Sequence, residues 1–153
     1  MPEVLIERLH AARRFNQGFA TVEFVAAALV DMELHLRRDP GAIDVSAFET
    51  SELEAIGMPA AIATRHSAPH FQHIFSGEGY SAGYYSYLWS EILDADGFEA
   101  FEESGDVFDP ALAERLERFV YAAGDIREPA AAYRAFRGRD PDPDALLRKR
   151  GLL

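Results

Sequence analysis

The spacing of apolar residues between positions 15 and 32 restricts the fold of this chain more than any other feature of its sequence. These residues recur at intervals of three and four, which places them on one face of an α-helix, whereas a strand requires strict alternation. Val25, Ala28 and Val30 widen the stripe, so we expect a helix that is buried on most sides. A shorter helical face begins earlier, at Leu5 and Leu9. The stripe itself consists of Phe15, Phe19, Val22, Ala26, Leu29 and Met32.

Signals for the start and end of helices continue along the chain. Ser46 and Glu49 have the spacing of a capping box and predict a short helix that ends near Gly57. A long helix is predicted from Tyr80 to about Glu103. An acidic residue followed by proline is typical of an N-cap and first helical residue. Such pairs predict three further helices, which begin at Asp109-Pro110, Glu128-Pro129 and Asp142-Pro143.

No alternating pattern typical of a strand competes with these helices, so the sequence predicts an all-α fold. The length fits one helical domain over residues 1–153. Within it, Asp39-Pro40-Gly41 predicts a break and a turn after the second helix.

Charge and composition exclude several classes of function. The chain has 15 basic and 26 acidic residues, a formal net charge of −11, and no cysteine. Because an acidic protein repels phosphate backbones, we expect no nucleic-acid partner. Disulfides, thiolate zinc sites and cysteine nucleophiles are excluded. No signal peptide or membrane-spanning apolar stretch is visible, so we expect a cytoplasmic protein with no membrane partner.

Tyrosines and histidines are concentrated between positions 70 and 90, around a glycine-broken loop. On the predicted helix, Tyr80, Tyr84, Tyr87 and Glu91 would share one face, which we assign to a cleft. A tyrosine O–H directed at a peptide carbonyl can stabilise the oxyanion that forms when water attacks. An aromatic stripe packed against a neighbouring helix explains the same spacing, and spacing alone favours that explanation. The opposite, core-facing side would carry Tyr85, Leu88, Trp89 and Ile92.

The histidines allow two interpretations. A neutral His73 can donate to a substrate carbonyl, but without other information a histidine hydrogen-bonded within the fold is the better explanation. His70 and His73 are three residues apart, yet a zinc site needs three or four ligands and nothing nearby completes one. No histidine is followed by glutamate, so the motif His-Glu-x-x-His is absent. We therefore expect no metal site on this chain.

Five segments of the chain carry a family resemblance, and they are residues 15–23, 69–77, 79–91, 136–141 and 146–152. The most specific part is the run Gly79-Tyr-Ser-Ala-Gly-Tyr-Tyr-Ser-Tyr-Leu-Trp89. Together these segments resemble the thimet oligopeptidase, oligopeptidase A and peptidyl-dipeptidase family of zinc metallopeptidases. The bacterial peptidyl-dipeptidase branch is the most similar, and the choice between dipeptidase and endopeptidase action stays open.

The resemblance implies the helical C-terminal portion of a zincin-like oligopeptidase catalytic domain, in which a deep channel holds the peptide. Tyr87 would be catalytic and donate to the tetrahedral oxyanion. Substrate binding would fall to His73, Gly79, Tyr80 and Tyr84, with the glycines letting the loop move. Zinc would be held by an upstream part of the same enzyme, which is absent from this sequence.

These observations lead to a leading hypothesis and an alternative. The chain would be the substrate-binding part of an enzyme that hydrolyses short peptides and releases C-terminal dipeptides, and it would be inactive and free of zinc on its own. Self-association through exposed apolar faces is a further expectation for such a part. The alternative is a stand-alone helical module that binds peptides or a partner protein.

Overall fold

The regular structure of the chain is helical throughout the part that the computed structural model describes, residues 1–39 and 41–153. The predicted all-α fold is therefore confirmed. The α-helices are α1 (Glu3–Arg14), α2 (Gln17–Leu36), α3 (Val45–Ala55), α4 (Ser86–Ser104), α5 (Pro110–Leu116), α6 (Pro129–Arg137) and α7 (Pro143–Arg150). Two 3₁₀ turns, Ala68–His70 and Gln72–Phe75, precede α4, and a π-helical segment, Glu117–Tyr121, continues α5. Pro40, at the centre of the predicted break, lies outside the described residues.

The chain forms two compact units, Met1–Tyr87 and Leu88–Leu153. In the first unit, Ala27 of α2 packs with Phe71 and Ile74 from the 3₁₀ turns, and Leu34 and Tyr84 cover this cluster. Ile74 is completely buried. The small side chain at position 27 allows the 3₁₀ turns to approach α2 closely, which positions the segment that follows them.

Helix α2 is buried over only part of its length. Its buried residues lie in its second half, whereas Phe15 just before it and Val22 within it are 82% and 51% exposed. The prediction that the stripe is buried on most sides is therefore wrong for the first half, because the 3₁₀ turns pack against the second half. Helix α1 likewise has no buried residue.

Helix α3 begins earlier than the sequence predicts. Asp44 is its N-cap, and its Oδ1 accepts a hydrogen bond from the Ala47 N–H at 3.0 Å. The predicted capping box of Ser46 and Glu49 is therefore wrong. The Glu49 carboxylate is buried and instead accepts hydrogen bonds from Ser67 Oγ, at 2.9 Å, and from the Ala68 N–H.

Helix α4 begins later than predicted, at Ser86 instead of Tyr80. Residues 80–85 form turns, in which the Tyr80 N–H donates to the Gly77 carbonyl and the Gly83 N–H donates to the Tyr80 carbonyl. Ala82 adopts a left-handed φ of 55°, which no helix contains. Tyr80 and Tyr84 therefore do not lie on the same helical face as Tyr87.

The second unit confirms the predicted starts of the last three helices. Asp109 caps α5 by accepting hydrogen bonds from the Ala111 and Leu112 N–H groups, at 2.8 and 3.0 Å. Asp142 caps α7 by accepting one hydrogen bond, from the Asp144 N–H at 3.0 Å. Helix α6 begins at Pro129, although Glu128 makes no capping hydrogen bond with its side chain. The core of this unit consists of one cluster around Phe101 and Phe136 and another around Leu146.

A buried carboxylate on α4 links this helix to α6 and to the loop that follows α6 in the second unit. Asp96 is completely buried, accepts a hydrogen bond from the Tyr133 hydroxyl, and pairs with Arg139 and Arg137. Burial, followed by the hydrogen bond to Asp96, raises the pKa of Tyr133. The hydrogen bond to Glu103 is the main cause that raises the pKa of Arg137. The segment 136–141, which carried part of the family resemblance, therefore supplies the partners of a buried charge.

No helix in the described part of the chain combines the length and the apolar character that crossing a membrane requires.

Candidate functional site

Three tyrosines surround His73 in the first unit. The centroid of the His73 ring lies 4.9 Å from that of Tyr80, 5.8 Å from that of Tyr84 and 5.6 Å from that of Tyr87. The Tyr80 and Tyr84 rings meet the imidazole edge to face, at 75° and 71°. The structure thus brings together the histidine and the tyrosines that the sequence singled out, and we call these four residues the His–Tyr cluster.

The hydroxyl of Tyr87 and the imidazole of His73 are within hydrogen-bond distance, because Tyr87 Oη and His73 Nε2 lie 3.1 Å apart. If the proton is on His73 Nδ1, Nε2 accepts from the phenol. If the proton is on Nε2, the imidazole donates to the phenol oxygen, and the phenol O–H is directed to another acceptor. With the proton on Nε2, the Tyr87 O–H is therefore available to donate to a third group.

The cluster has an exposed side and a packed side. Tyr80 and Tyr87 are 46% and 47% exposed. Tyr84 stacks on Phe24 of α2 at 4.9 Å and meets the buried Phe71 edge to face at 4.8 Å. Tyr84 therefore connects the cluster to the core, while Tyr80 and Tyr87 lie on its exposed side.

A buried carboxylate on α2 supports the segment between the glycine loop and α4. Asp31 Oδ1 accepts a hydrogen bond from the Ala82 N–H at 3.1 Å, and Oδ2 accepts one from the Tyr84 N–H at 3.0 Å. The Asp31 side chain also lies 2.9 Å from His35 Nδ1, one helical turn further along α2. Asp31 is completely buried, and these partners compensate its charge.

Asp31 did not stand out in the sequence, although a signal for it exists. It is the acidic residue that interrupts an apolar run from Phe24 to Met32. A charged residue in a buried helical stretch requires partners, which makes it a candidate for a structural or functional role. Its partners at positions 82 and 84 could not be read from local spacing, because they lie more than 50 residues away in the sequence.

Glu49 anchors the chain on the other side of the glycine loop, just before the 3₁₀ turns. Its hydrogen bonds to Ser67 and Ala68 fix the chain just before the first 3₁₀ turn, and His66 packs on Phe71 at 4.7 Å. His73 follows in the second 3₁₀ turn. Two carboxylates, Asp31 and Glu49, therefore hold the backbone on both sides of the glycine loop.

The remaining predicted residues have different surroundings. Gly79 lies in the turn before the tyrosines, and a Cβ built on it would meet nothing within 4 Å. Positive φ occurs at Gly77 and at Ala82, whereas Gly79 is not among the residues with positive φ. Glu91, which was assigned to the tyrosine face, forms an ion pair with Arg150 in the second unit.

The implied zinc ion does not fit the residues that the structure describes. Among the described residues, no group of three or more histidine, cysteine, aspartate or glutamate side chains is arranged to hold a metal. The nitrogen of His73 that faces the cluster is directed at the Tyr87 hydroxyl. The donor set of the cluster, one imidazole and three phenols, suits a polar organic ligand better than a divalent metal.

Chemically, the cluster offers several polar atoms on an aromatic surface. Phenol hydroxyls and an imidazole can donate to carbonyl oxygens and accept from amide N–H groups. The rings provide apolar contact area beside these atoms, as sites for small ligands commonly do. An extended peptide backbone presents both carbonyl and amide groups, and it is the ligand class that this donor and acceptor set matches.

Comparison with known proteins gives the same family as the sequence motifs. Peptidase family M3 matches residues 1–152. The chain is 39% identical to "Probable cytosolic oligopeptidase A" of Arabidopsis thaliana over 159 residues. It is 38% identical to "Dipeptidyl carboxypeptidase" of Salmonella typhimurium over 158 residues and 36% identical to "Oligopeptidase A" of Escherichia coli over 156 residues.

These matches cover 99% or more of this chain but only 22% of each of the three relatives. The chain therefore spans about a fifth of the length of the curated relatives it matches. The family match extends over both compact units and includes the His–Tyr cluster. From the extent of this match, we conclude that the chain belongs to Peptidase family M3.

Proposed function

We propose that this chain is the substrate-binding C-terminal part of a metallopeptidase catalytic domain that hydrolyses short peptides and releases C-terminal dipeptides. The observation that carries the proposal is the His–Tyr cluster, in which Tyr87 and His73 are 3.1 Å apart on an exposed surface. Membership of Peptidase family M3 supports it, as do relatives named dipeptidyl carboxypeptidase and oligopeptidase A. A cytoplasmic location is part of the proposal, supported by the relative named probable cytosolic oligopeptidase A.

Each residue of the cluster has a separate role in this proposal. Tyr87 donates to the oxyanion that forms on the scissile carbonyl, and His73 holds the substrate backbone near that bond. Tyr80 binds the backbone on the leaving-group side, and Tyr84 lines the channel. Gly79 gives the loop the freedom to close on the peptide.

We assign the zinc of the complete enzyme to residues outside this chain. The described residues contain no suitable metal-binding group, so the chain alone is proposed to bind no catalytic zinc and to hydrolyse no peptide. Zinc content per chain, measured after purification without chelator, and a quenched-peptide assay on the same sample test this point. Near-stoichiometric zinc together with chelator-sensitive cleavage would contradict it.

Peptide binding by the chain itself tests the role of the cluster. We expect a fluorescently labelled alanine-rich hexapeptide to bind with a Kd on the order of 1 mM, because a few hydrogen bonds of about 1 kcal/mol each hold it. Replacing His73 by Ala removes one such hydrogen bond and should raise the Kd by about fivefold. The control is Tyr121→Phe, a change at a 75% exposed tyrosine of the second unit, which should leave binding unchanged.

Tyr87→Phe separates the enzymatic role from simple binding. In a full-length enzyme that carries this chain, loss of one oxyanion donor should lower kcat by about 10² to 10³-fold and leave KM nearly unchanged. A change in KM alone would instead favour a binding module.

The binding module is the second candidate, and one observation favours it. Helix α1 exposes a row of apolar side chains that can associate with a partner protein or a second copy of the chain. These are Val4, Leu5, Ile6 and Leu9, which are 51%, 44%, 42% and 52% exposed. Sedimentation of the chain over a range of concentrations tests self-association through this face.

A further inference from the structure

The position of the His–Tyr cluster depends on a backbone segment that could not hold its conformation alone. Ala82 adopts a φ of 55°, in the left-handed region that costs a residue with a side chain roughly 1 kcal/mol or more. Tyr80 lies two positions before Ala82 and Tyr84 two positions after it, and the rings of both contact His73. Any change in the backbone at position 82 would therefore move two rings of the cluster.

The interactions that hold this segment come from α2. Both oxygens of the Asp31 carboxylate are used, one for the Ala82 N–H and one for the Tyr84 N–H. Hydrogen bonds from backbone N–H groups to an ionised carboxylate are among the stronger ones in proteins, especially where water is excluded. Asp31 is completely buried, so no water molecule replaces these bonds without rearrangement of the core.

His35 connects this arrangement to the turn before the loop. Its Nδ1 lies 2.9 Å from Asp31 Oδ1 and 2.9 Å from the Asp31 carbonyl oxygen, and its ring packs at 5.6 Å from that of Phe75. Phe75 ends the 3₁₀ turn that carries His73. Asp31 thus contacts the backbone on the tyrosine side of the loop, and its neighbour His35 contacts the turn on the histidine side.

We propose that Asp31, supported by His35, is a positioning residue that holds the backbone of residues 82–84 so that Tyr80, Tyr84 and Tyr87 meet around His73. Asp31 does not touch the peptide and acts through the tyrosines. The consequence for binding rests on the proposed function, whereas the positioning of the rings does not.

The first test uses Asp31→Asn in the full chain. An asparagine accepts through only one oxygen, so its amide group would oppose one of the two backbone N–H donors. We expect the ¹⁵N resonance of His73 Nε2 to lose the signature of its hydrogen bond to Tyr87. We also expect the hexapeptide Kd to rise about tenfold, as if one loop in ten kept the competent arrangement.

The matched control is Glu33→Gln, which removes a charge from an exposed residue of the same helix. It should leave both the His73 resonance and the Kd unchanged. The readouts are the His73 resonance and the Kd, because any change at a buried carboxylate lowers the thermal stability of the chain. An Asp31→Asn chain that is folded, with unchanged His73 resonances, would overturn the positioning role.

Amide exchange in the unmodified chain gives a second test that does not depend on a variant folding. The Ala82 and Tyr84 amides should exchange at least about tenfold more slowly than that of Gly79, because the first two are hydrogen-bonded to a buried carboxylate. Equal exchange rates at the three positions would overturn the inference.

The outcomes distinguish the inference from the proposed function. If Asp31→Asn disperses the cluster and the unmodified chain binds no hexapeptide, the positioning role stands and the peptide-binding role fails. If the unmodified chain binds the hexapeptide and Asp31→Asn changes neither the cluster nor the affinity, the reverse holds.

Discussion

At the scale of single residues, a side chain at position 83 would crowd the backbone of the turn before α4. A Cβ on Gly83 would lie 3.1 Å from the Tyr80 carbonyl oxygen and 3.4 Å from that of Gly79. Both are backbone atoms, so they cannot move aside as a flexible side chain would. A larger residue at this position would therefore have to shift the turn that precedes Tyr84 by a few tenths of an ångström.

We predict that Gly83→Ala lowers the free energy of unfolding by about 1–3 kcal/mol, the usual range for inserting atoms into a packed site. Gly79→Ala is the control, because a Cβ there meets nothing within 4 Å, and we expect a change within about 0.5 kcal/mol. Urea denaturation of both variants measures the difference. Equal stabilities would show that the turn does not have the described geometry.

The buried carboxylate of the second unit leads to another prediction at this scale. Asp96→Asn leaves Arg137, whose side chain is 7% exposed, without part of its charge compensation, and should cost about 3–5 kcal/mol. Asp94 is on the same helix as Asp96 and forms an exposed ion pair with Lys149 of α7. Asp94→Asn should therefore cost no more than about 1 kcal/mol. Thermal or urea unfolding measures both. A small loss for Asp96→Asn would contradict the role of this residue as the centre of the network.

Tyr133 provides a test by pH. Burial and its hydrogen bond to Asp96 raise the pKa of Tyr133, so the folded chain keeps its proton beyond the ordinary pKa of about 10. For a raised pKa, the stabilisation is complete below the unfolded-state pKa and is lost as pH rises toward the folded-state pKa. The difference in unfolding free energy between the unmodified chain and Tyr133→Phe should be constant below about pH 9 and decrease above about pH 10. A difference that grows with alkaline pH would contradict this.

At the scale of secondary-structure elements, the starts of α5 and α7 depend on local chemistry and agree with the sequence prediction, whereas the predicted capping box of α3 is wrong. Asp109 and Asp142 cap the helices that the acid–proline pairs indicated, because an N-cap bonds only to residues two or three positions away. The start of α4 was predicted wrongly, at Tyr80 instead of Ser86. The Ala82 and Tyr84 N–H groups donate hydrogen bonds to Asp31, 51 and 53 residues away, and hold that segment in turns. No local pattern reports such a distant partner.

The caps allow a comparison between two helices of the second unit. Asp109→Ala removes two hydrogen bonds to the first turn of α5 and should lower the free energy of unfolding by about 1 kcal/mol. Glu128→Ala, at the start of α6, removes no capping bond of the side chain and should change it by less than about 0.5 kcal/mol. Chemical denaturation of the two variants measures the contrast. Equal effects would mean that the Asp109 cap does not contribute to stability.

At the scale of the whole molecule, the residues that the family resemblance singles out are the ones that meet in the His–Tyr cluster. The sequence identified His73, Tyr80, Tyr84 and Tyr87, although it assigned the tyrosines to one helical face. The structure brings them together by a different route, through two 3₁₀ turns and a segment held from α2. These residues meet although they do not share one helical face. Their meeting therefore favours a role other than that of an aromatic stripe packed against a neighbouring helix. The single helical domain inferred from chain length stays a prediction.

The central claim is that the His–Tyr cluster binds a peptide backbone. Its most direct test is an NMR titration of the chain, labelled in the histidine and tyrosine rings, with the alanine-rich hexapeptide. We predict saturable shifts of His73, Tyr80 and Tyr87, together with unchanged rings of Tyr121 and Tyr133 in the second unit. Unchanged His73 and Tyr87 resonances at millimolar peptide would contradict the claim.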